Sequence, residues 1–312
     1  MNNALISIII PTYNRAHLIG ETLDSVLAQT YENWECIIVD DGSQDDSEAV
    51  ILEYAKQNSK FRFYHRPENR PKGANACRNF GLQNAKGDYI VFFDSDDLMT
   101  KDHLEVKITA ITKNQCDYVI TRTQYFNEDN SQIDKYYSGL RDFAITPFNY
   151  VSQKINWLTY DICVKSALAK QIDFNEKLQS GQEYNYFCKL VHLSVHAIFV
   201  DQVVTLRRAH DTSIRSQLKT KEQKYESNFK KVWHTYLDVK DVANKETRQY
   251  LIKKSSTLVF LSKRTFSISI YKLFIYLFKE MGLKSFYLVL YFFSMIFFGK
   301  GHFFITKFNE NN

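Results

Sequence analysis

The chain is poor in the residues that break or link structure: 4 prolines and 10 glycines in 312 residues. Such scarcity excludes a collagen-like or linker-dominated protein, and no repeat period runs along the sequence. Cysteine is sparse and unpatterned. Cys36, Cys77, Cys116, Cys163 and Cys188 form no C-x-x-C pair and are odd in number. Most are flanked by apolar or small residues, as reduced core thiols are. The opening MNNALISIII lacks a basic segment ahead of its apolar stretch, so no signal peptide is expected and the cytoplasm is the default address. What is present is ordinary for a globular protein. An apolar fraction of 45% with 24% charged residues argues against wholesale disorder, and the length suits one large α/β domain with a smaller appendage.

The net charge of +5 is unevenly spread. Up to Ile214 there are 22 Lys and Arg against 28 Asp and Glu; from Arg215 onward there are 18 against 7. The acidic front half makes nucleic acid an unsuitable partner, whereas a basic, aromatic tail suits anionic lipid or phosphate. A boundary is therefore expected near 214, separating a catalytic domain (1–214, with halves at about 1–100 and 101–214) from a helical region (215–312).

The first hundred residues alternate buried strands with helices. Leu5–Ile10, Glu35–Val39, Phe61–His65 and Tyr89–Phe93 read as strands. His17–Gln29, Asp46–Asn58 and Ala74–Ala85 read as helices. This order predicts an α/β fold with a doubly wound, mostly parallel sheet. Further on, helices are expected near Asp102–Thr112 and Gln182–Leu193, and strands near Tyr118–Phe126, Trp157–Val164 and Ala197–Leu206. Beyond Arg215 the pattern turns helical, with Leu218, Tyr225, Phe229, Val232, Trp233 and Tyr236 on one stripe.

Open sheets bind ligands beyond the carboxyl ends of their strands. Those points carry Pro11-Thr12-Tyr13-Asn14-Arg15, Asp40-Asp41-Gly42-Ser43, His65-Arg66 and Asp94-Ser95-Asp96-Asp97. Residues two apart in extended chain share a side, so Asp94 and Asp96 can converge on one cation. Carboxylate oxygens select a hard ion such as Mg²⁺ or Mn²⁺, the ions that hold a diphosphate. Asp40 suits a base N–H or a ribose hydroxyl, while Asp41 suits the cap of the following turn. Gly73-Ala74-Asn75-Ala76-Cys77-Arg78-Asn79 opens a helix whose small residues allow close backbone approach and whose Arg78 can reach a phosphate. Lys72 and Arg66 read as solvated cations.

Taken together, SIIIPTYNRAHLIGETLDSVLAQTYENWECIIVDDGSQDDS followed by KGANACRNFGLQNAKGDYIVFFDSDD resembles glycosyltransferase family 2, with the GT-A fold. The resemblance is dense over the first hundred residues and thinner to about 214. It implies that Pro11, Tyr13 and Asp40 line a nucleoside pocket with Asn14 and Arg15 beside it. Arg78 would lie near the base or diphosphate, Asp94 would face the ribose or metal, and Asp96 would be the principal metal ligand. Family members usually carry a G-E-D-like triplet after an F-D-E-x-L-like segment. Here Phe174-Asn175-Glu176-Lys177-Leu178 precedes Gly181-Gln182-Glu183, which matches Glu183 to the catalytic base. The departures are Gln182 for an acid and a base one methylene longer than the usual Asp. Arg207-Arg208-Ala209-His210-Asp211 resembles a late segment in which His210 approaches the metal or diphosphate.

The reaction so implied is an inverting transfer from a nucleotide-sugar, UDP-linked, to a hydroxyl of a saccharide or lipid-linked oligosaccharide during surface-polysaccharide synthesis. The alternatives are transfer to a polyprenyl phosphate, and a nucleotide-sugar-binding assembly protein without turnover. The uncharged, aromatic Ser285–Gly299 would form a helix roughly 22 Å long at ~1.5 Å per residue, short of the ~30 Å of a bilayer core. With Lys263, Arg264, Lys272, Lys279, Lys284 and Lys300 flanking apolar faces, it suits peripheral contact with the inner face of the cytoplasmic membrane. A domain cap or a dimer contact is the other reading.

Overall fold

All seven residues of β1 (Ile6–Thr12) and of β2 (Trp34–Asp40) are buried. A strand covered on both faces requires an unbroken apolar run, and ISIIIPT and WECIIVD supply it. Pro11 lies inside β1 rather than ending it. Pairing with Tyr89–Phe92, the strand on the side away from β2, stops at Ile9, so on that side its missing N–H interrupts no ladder.

The structure, a computed structural model, describes residues 3–126, 130–209, 220–261, 268–298 and 306. They fall into two compact units, Met1–Asp211 and Thr212–Asn312. In the first, α1 (Ile19–Leu27), α2 (Ser47–Gln57) and α3 (Ala74–Asn84) join β1, β2, β3 (Phe61–His65) and β4 (Tyr89–Phe92). These four strands pair in parallel in the spatial order β3-β2-β1-β4.

The chain then runs through β5 (Leu98–Met99), α4 (His103–Lys113), β6 (Tyr118–Tyr125), α5 (Ser131–Asp142) and α6 (Pro147–Val151). It ends the unit with β7 (Ile162–Lys165), α7 (Ser166–Ala169), α8 (Gln182–Leu193) and β8 (Ala197–Arg207). Among the described residues the sheet has eight strands, β3-β2-β1-β4-β7-β6-β8-β5. β7 runs antiparallel to both β4 and β6, and β5 antiparallel to β8. The sheet is thus mixed and mostly parallel, with its core between β1, β2, β4 and the helices α1 and α4. All five cysteines are buried, and none is joined in a disulfide.

One strand expectation is only half met. In Trp157–Val164 the residues Thr159–Asp161 form a 3-10 turn, and β7 begins at Ile162. The Asp161 carboxylate accepts the Leu158 N–H at 2.6 Å, which closes the chain into a turn before the strand can start.

The second unit contains α9 (Lys221–Val239), α10 (Lys245–Leu261), α11 (Ile268–Met281) and α12 (Ser285–Phe298). Thr220 caps α9 reciprocally. Its hydroxyl accepts the Gln223 N–H and the Gln223 side chain accepts the Thr220 N–H, each at 3.1 Å, satisfying two end donors of the helix. Phe229, Val232, Trp233 and Tyr236 on α9 are buried; Leu218 lies outside the described residues. No helix among the described residues is long and apolar enough to cross a membrane.

Candidate active site

The carboxyl ends of β1, β2 and β4 bring the acidic and cationic candidates into one network. After β1, Asn14 adopts φ +50°, a left-handed conformation that asparagine tolerates better than most side chains. Its N–H donates to Ser43 Oγ at 2.9 Å and its Oδ1 accepts the Gln44 N–H at 2.8 Å, bracing the first loop against the second. Arg15 N–H donates to Ser47 Oγ at 2.7 Å. That bond aims the Arg15 side chain across the site, where Nε meets Asp96 Oδ2 at 3.2 Å. Pro11 and Thr12 are buried, and Tyr13 is exposed. Lys72 is not merely solvated: its Nζ stands 3.8 Å from the centre of the Tyr13 ring, a cation–π contact.

After β2 the two aspartates exchange the capping role expected from sequence. Asp40 Oδ2 accepts the N–H groups of Gly42 and Ser43, both at 2.9 Å, and its Oδ1 accepts the Ser43 hydroxyl. Gly42 makes the turn with φ +83°, where a side chain would be strained. Asp41 instead pairs with Arg66, Nε to Oδ1 at 2.5 Å. Arg66 is therefore a fixed member of the loop, donating also to the carbonyls of Pro67 and Arg70.

Behind these loops, Arg78 on α3 is 5% exposed. Its Nη2 pairs with Asp94 Oδ1 at 2.7 Å, and its guanidinium lies 5.4 Å from the centre of the Phe174 ring. Nε and Nη1 of Arg78, and Oγ1 of Thr12, are buried with no hydrogen-bond partner among the described residues. Unmet donors beside an acidic loop suit an anionic ligand.

Asp94, Ser95, Asp96 and Asp97 follow β4. Burial pushes the Asp97 carboxyl up to about 8, and repulsion from Asp94 and Asp96 adds to it; the Arg208 N–H at 2.8 Å works the other way. Burial opposes charge on Arg207 as well, but Tyr160, Tyr125, Asp97 and Asp94 together hold it more firmly cationic than usual. The loop therefore concentrates negative potential that the surrounding arginines only partly offset. Its oxygen donors suit a hard divalent cation. Among the described residues no group of three or more His, Cys, Asp or Glu is arranged to hold a metal. A hard divalent ion can be held by only one or two carboxylates when ligand phosphates and water complete its shell. His210 lies outside the described residues.

Glu183 belongs to the other half. Gly181, with φ +72°, starts α8, and Glu183 in its first turn accepts the Thr159 hydroxyl on Oε2 at 3.0 Å. The segment leading to α8 is gripped by α3. Asn79 exchanges hydrogen bonds with Phe174, N–H to Oδ1 at 2.8 Å and Nδ2 to the carbonyl at 2.9 Å. Asn75 Nδ2 donates to the carbonyls of Asn175 and Leu178. Sequence reasoning missed the roles of Asn75, Asn79 and Thr159. Asn75 and Asn79 are four apart on α3, one helical face, which was the only signal available.

The sequence matches the profile of Glycosyl transferase family 2 over residues 7–176. The chain belongs to that family. An uncharacterised glycosyltransferase of Rickettsia typhi is 30% identical over 267 residues, covering 83% of this chain and 78% of its own. A Rickettsia felis relative, also an uncharacterised glycosyltransferase, is 33% identical over 183 residues, but this chain spans only 29% of its length. The Escherichia coli UDP-Glc:alpha-D-GlcNAc-diphosphoundecaprenol beta-1,3-glucosyltransferase WfgD is 36% identical over 136 residues, 44% of this chain and 52% of that protein. Among solved structures, Staphylococcus aureus TarS 1–349 in complex with UDP-GlcNAc superposes with a TM-score of 0.67 at 17% identity, covering 98% of this chain and 88% of that one. The mannosyltransferase PcManGT of Pyrobaculum calidifontis, in complex with GDP-Man and Mn²⁺, superposes at 0.59 with 15% identity, over 97% and 84%. These likenesses establish the family's GT-A fold for this chain.

Proposed function

We propose that this family 2 chain is an inverting glycosyltransferase that moves a sugar from a UDP-sugar to a hydroxyl of a glycan acceptor in surface-polysaccharide synthesis. One observation carries the reading: carboxylates and arginines converge at the ends of β1, β2 and β4, and a turn against that loop also holds Glu183. Pro11, Thr12, Tyr13 and Asp40 line the nucleoside side, with Asn14, Arg15, Asp41 and Ser95 shaping the loops around it. Arg78 and Arg15 face the diphosphate. Asp96, with Asp94 and with His210 from the late segment, would hold Mn²⁺ or Mg²⁺, which when bound offsets charge on the departing nucleotide. Glu183 takes the proton of the acceptor hydroxyl as it attacks the anomeric carbon from the face opposite the nucleotide. A single displacement inverts that centre.

The lipid-linked sugar named in the WfgD relative supports an acceptor carried on a lipid, at the inner face of the cytoplasmic membrane. Residues 1–214 then form the catalytic domain, and 215–312 make the peripheral contact. Tyr271, Ile275 and Phe278 on α11 are exposed at helical spacing, as are Leu283 beyond it and Phe286 and Phe293 on α12. Lys272, Lys279 and Lys284 accompany them, which suits an anionic surface.

The test is a panel of nucleotide-sugars with the full chain and Mn²⁺, scored first by thermal stabilisation and then by transfer. Stabilisation by UDP-sugars, transfer lost in EDTA and in Glu183→Gln, and an inverted product by NMR are expected. A retained anomeric configuration would refute the mechanism. Undiminished turnover in Glu183→Gln would point to a polyprenyl-phosphate acceptor, which needs no base. Binding without any transfer or hydrolysis would point to an assembly protein.

A further inference from the structure

The turn Thr159–Asp161 is nearly inaccessible, with Thr159, Tyr160 and Asp161 at 5%, 3% and 0% exposure. Four different elements or segments clamp it. The Asp161 carboxylate accepts Thr123 Oγ1 from β6 at 2.7 Å, Tyr137 OH from α5 at 2.8 Å and the N–H of Leu158 at 2.6 Å. Thr121 donates to the Asp161 carbonyl at 3.1 Å. From α4, the buried Lys107 extends Nζ to the Tyr160 carbonyl at 2.5 Å. Burying a lysine and an aspartate costs solvation that a purely apolar turn would avoid. What that investment fixes is the position of a three-residue turn.

The turn touches both sides of the site. Tyr160 packs its ring 5.9 Å from that of Phe93, immediately before Asp94, and burial followed by the charge of Asp97 lifts its phenol well above the usual range. On the other side the Thr159 hydroxyl donates to Glu183 Oε2 at 3.0 Å. A partly exposed glutamate such as Glu183 has three side-chain torsions and hence rotamer freedom that ordering must remove. A hydroxyl held by a clamped turn removes most of it.

We propose that Thr159 is a positioning residue for Glu183: the anchored turn fixes where the carboxylate stands relative to the Asp94–Asp97 loop. This rests on Glu183 being the base, so the experiment separates the two claims. Thr159→Val removes the hydroxyl at constant shape, Thr159→Ser keeps it, and Glu183→Gln removes the base. Each full-length variant is assayed by UDP release, with Mn²⁺, from whichever of UDP-glucose, UDP-galactose and UDP-N-acetylglucosamine the wild type turns over fastest. Crystal structures of wild type and Thr159→Val supply a readout that needs no turnover.

Thr159→Val is expected to lower kcat by about 10- to 100-fold. Donor KM should stay within about twofold, since the hydroxyl acts on the base and not on the nucleotide. Thr159→Ser should restore most of the rate, and the Glu183 carboxylate should be displaced in the Thr159→Val crystal. If Thr159→Val melts early, Thr159→Ala, which only deletes atoms, serves in the same comparison. Wild-type kcat, or an undisplaced Glu183, in Thr159→Val beside an inactive Glu183→Gln would overturn the positioning role alone. Wild-type turnover in Glu183→Gln would instead overturn the base assignment beneath it.

Discussion

Replacing Asp97 by Asn tests whether the loop after β4 stores the negative potential described above. Asp97 is 3% exposed, and its carboxyl is pushed up to about 8 from an ordinary 3.8 by burial, then by Asp94 and Asp96. In the unfolded chain it titrates near its ordinary value of about 4. Between those two values the folded state holds a proton that the unfolded state has released. Its contribution to stability is therefore complete below about pH 4 and is lost as pH rises toward 8. Each unit in that window costs about 1.36 kcal/mol. From pH 5 to pH 8 the loss approaches roughly 3–4 kcal/mol, allowing for half-titration at the upper end. Asparagine has no proton to lose and retains an oxygen for the Arg208 N–H, which Asp97 accepts at 2.8 Å. Urea denaturation of wild type and Asp97→Asn in EDTA at pH 5 and pH 8 should show the variant's lead growing by that amount. At about 2–4 °C per kcal/mol, the matching gap in Tm widens by roughly 6–16 °C. Parallel pH profiles for the two proteins would refute the reasoning.

Asn79→Ala removes three side-chain hydrogen bonds to the segment before α8, two to the Phe174 backbone and one to Glu176. Leaving that buried backbone unpaired should cost about 2–4 kcal/mol, read as a lowered urea midpoint, with a drop in kcat because Glu183 loses its anchored approach. Gly181→Ala places a Cβ at φ +72°, a cost of about 1–2 kcal/mol; a Tm fall of a few degrees with reduced turnover is expected, and an unchanged Tm would contradict the strain. Phe278→Glu combined with Phe286→Glu alters two side chains that are each 59% exposed. The pair should leave the circular dichroism spectrum intact and abolish co-sedimentation with phosphatidylserine vesicles, and undiminished co-sedimentation would remove α11 and α12 from the membrane contact.

The sheet was legible because burial on both faces leaves a strong mark: the fully buried β1 and β2 lie within a residue or two of the runs expected from sequence, and the bounds of Phe61–His65 and of the helix Gln182–Leu193 coincide with those expected. The carboxylate clusters were legible for a related reason, since a doubly wound sheet puts ligands beyond its strand ends. What escaped was set by pairing across the fold. Whether Asp40 or Asp41 caps the turn depends on which face each carboxylate takes at the end of β2, and alternation gives opposite faces without saying which is which. Arg66 reads as solvated until β2 pairs with β3, aligning Asp40 with His65 and setting Arg66 beside Asp41.

Thr159 is the extreme case. Its stretch is apolar and β-branched enough to pass for strand, and the decision rests on the Asp161 carboxylate, which three donors reach from β6, α5 and Leu158, while Thr121 of β6 donates to the Asp161 carbonyl. Local propensity cannot encode contacts that close only after the sheet assembles. The residues that carry charge in this site are therefore visible one at a time in the sequence, whereas those that hold them in place are distributed over α3, α4, α5 and β6. A substitution in that second group should slow the reaction while leaving every motif intact, which is why Thr159 and Asn79 discriminate the proposed geometry better than further changes at Asp94 or Asp96.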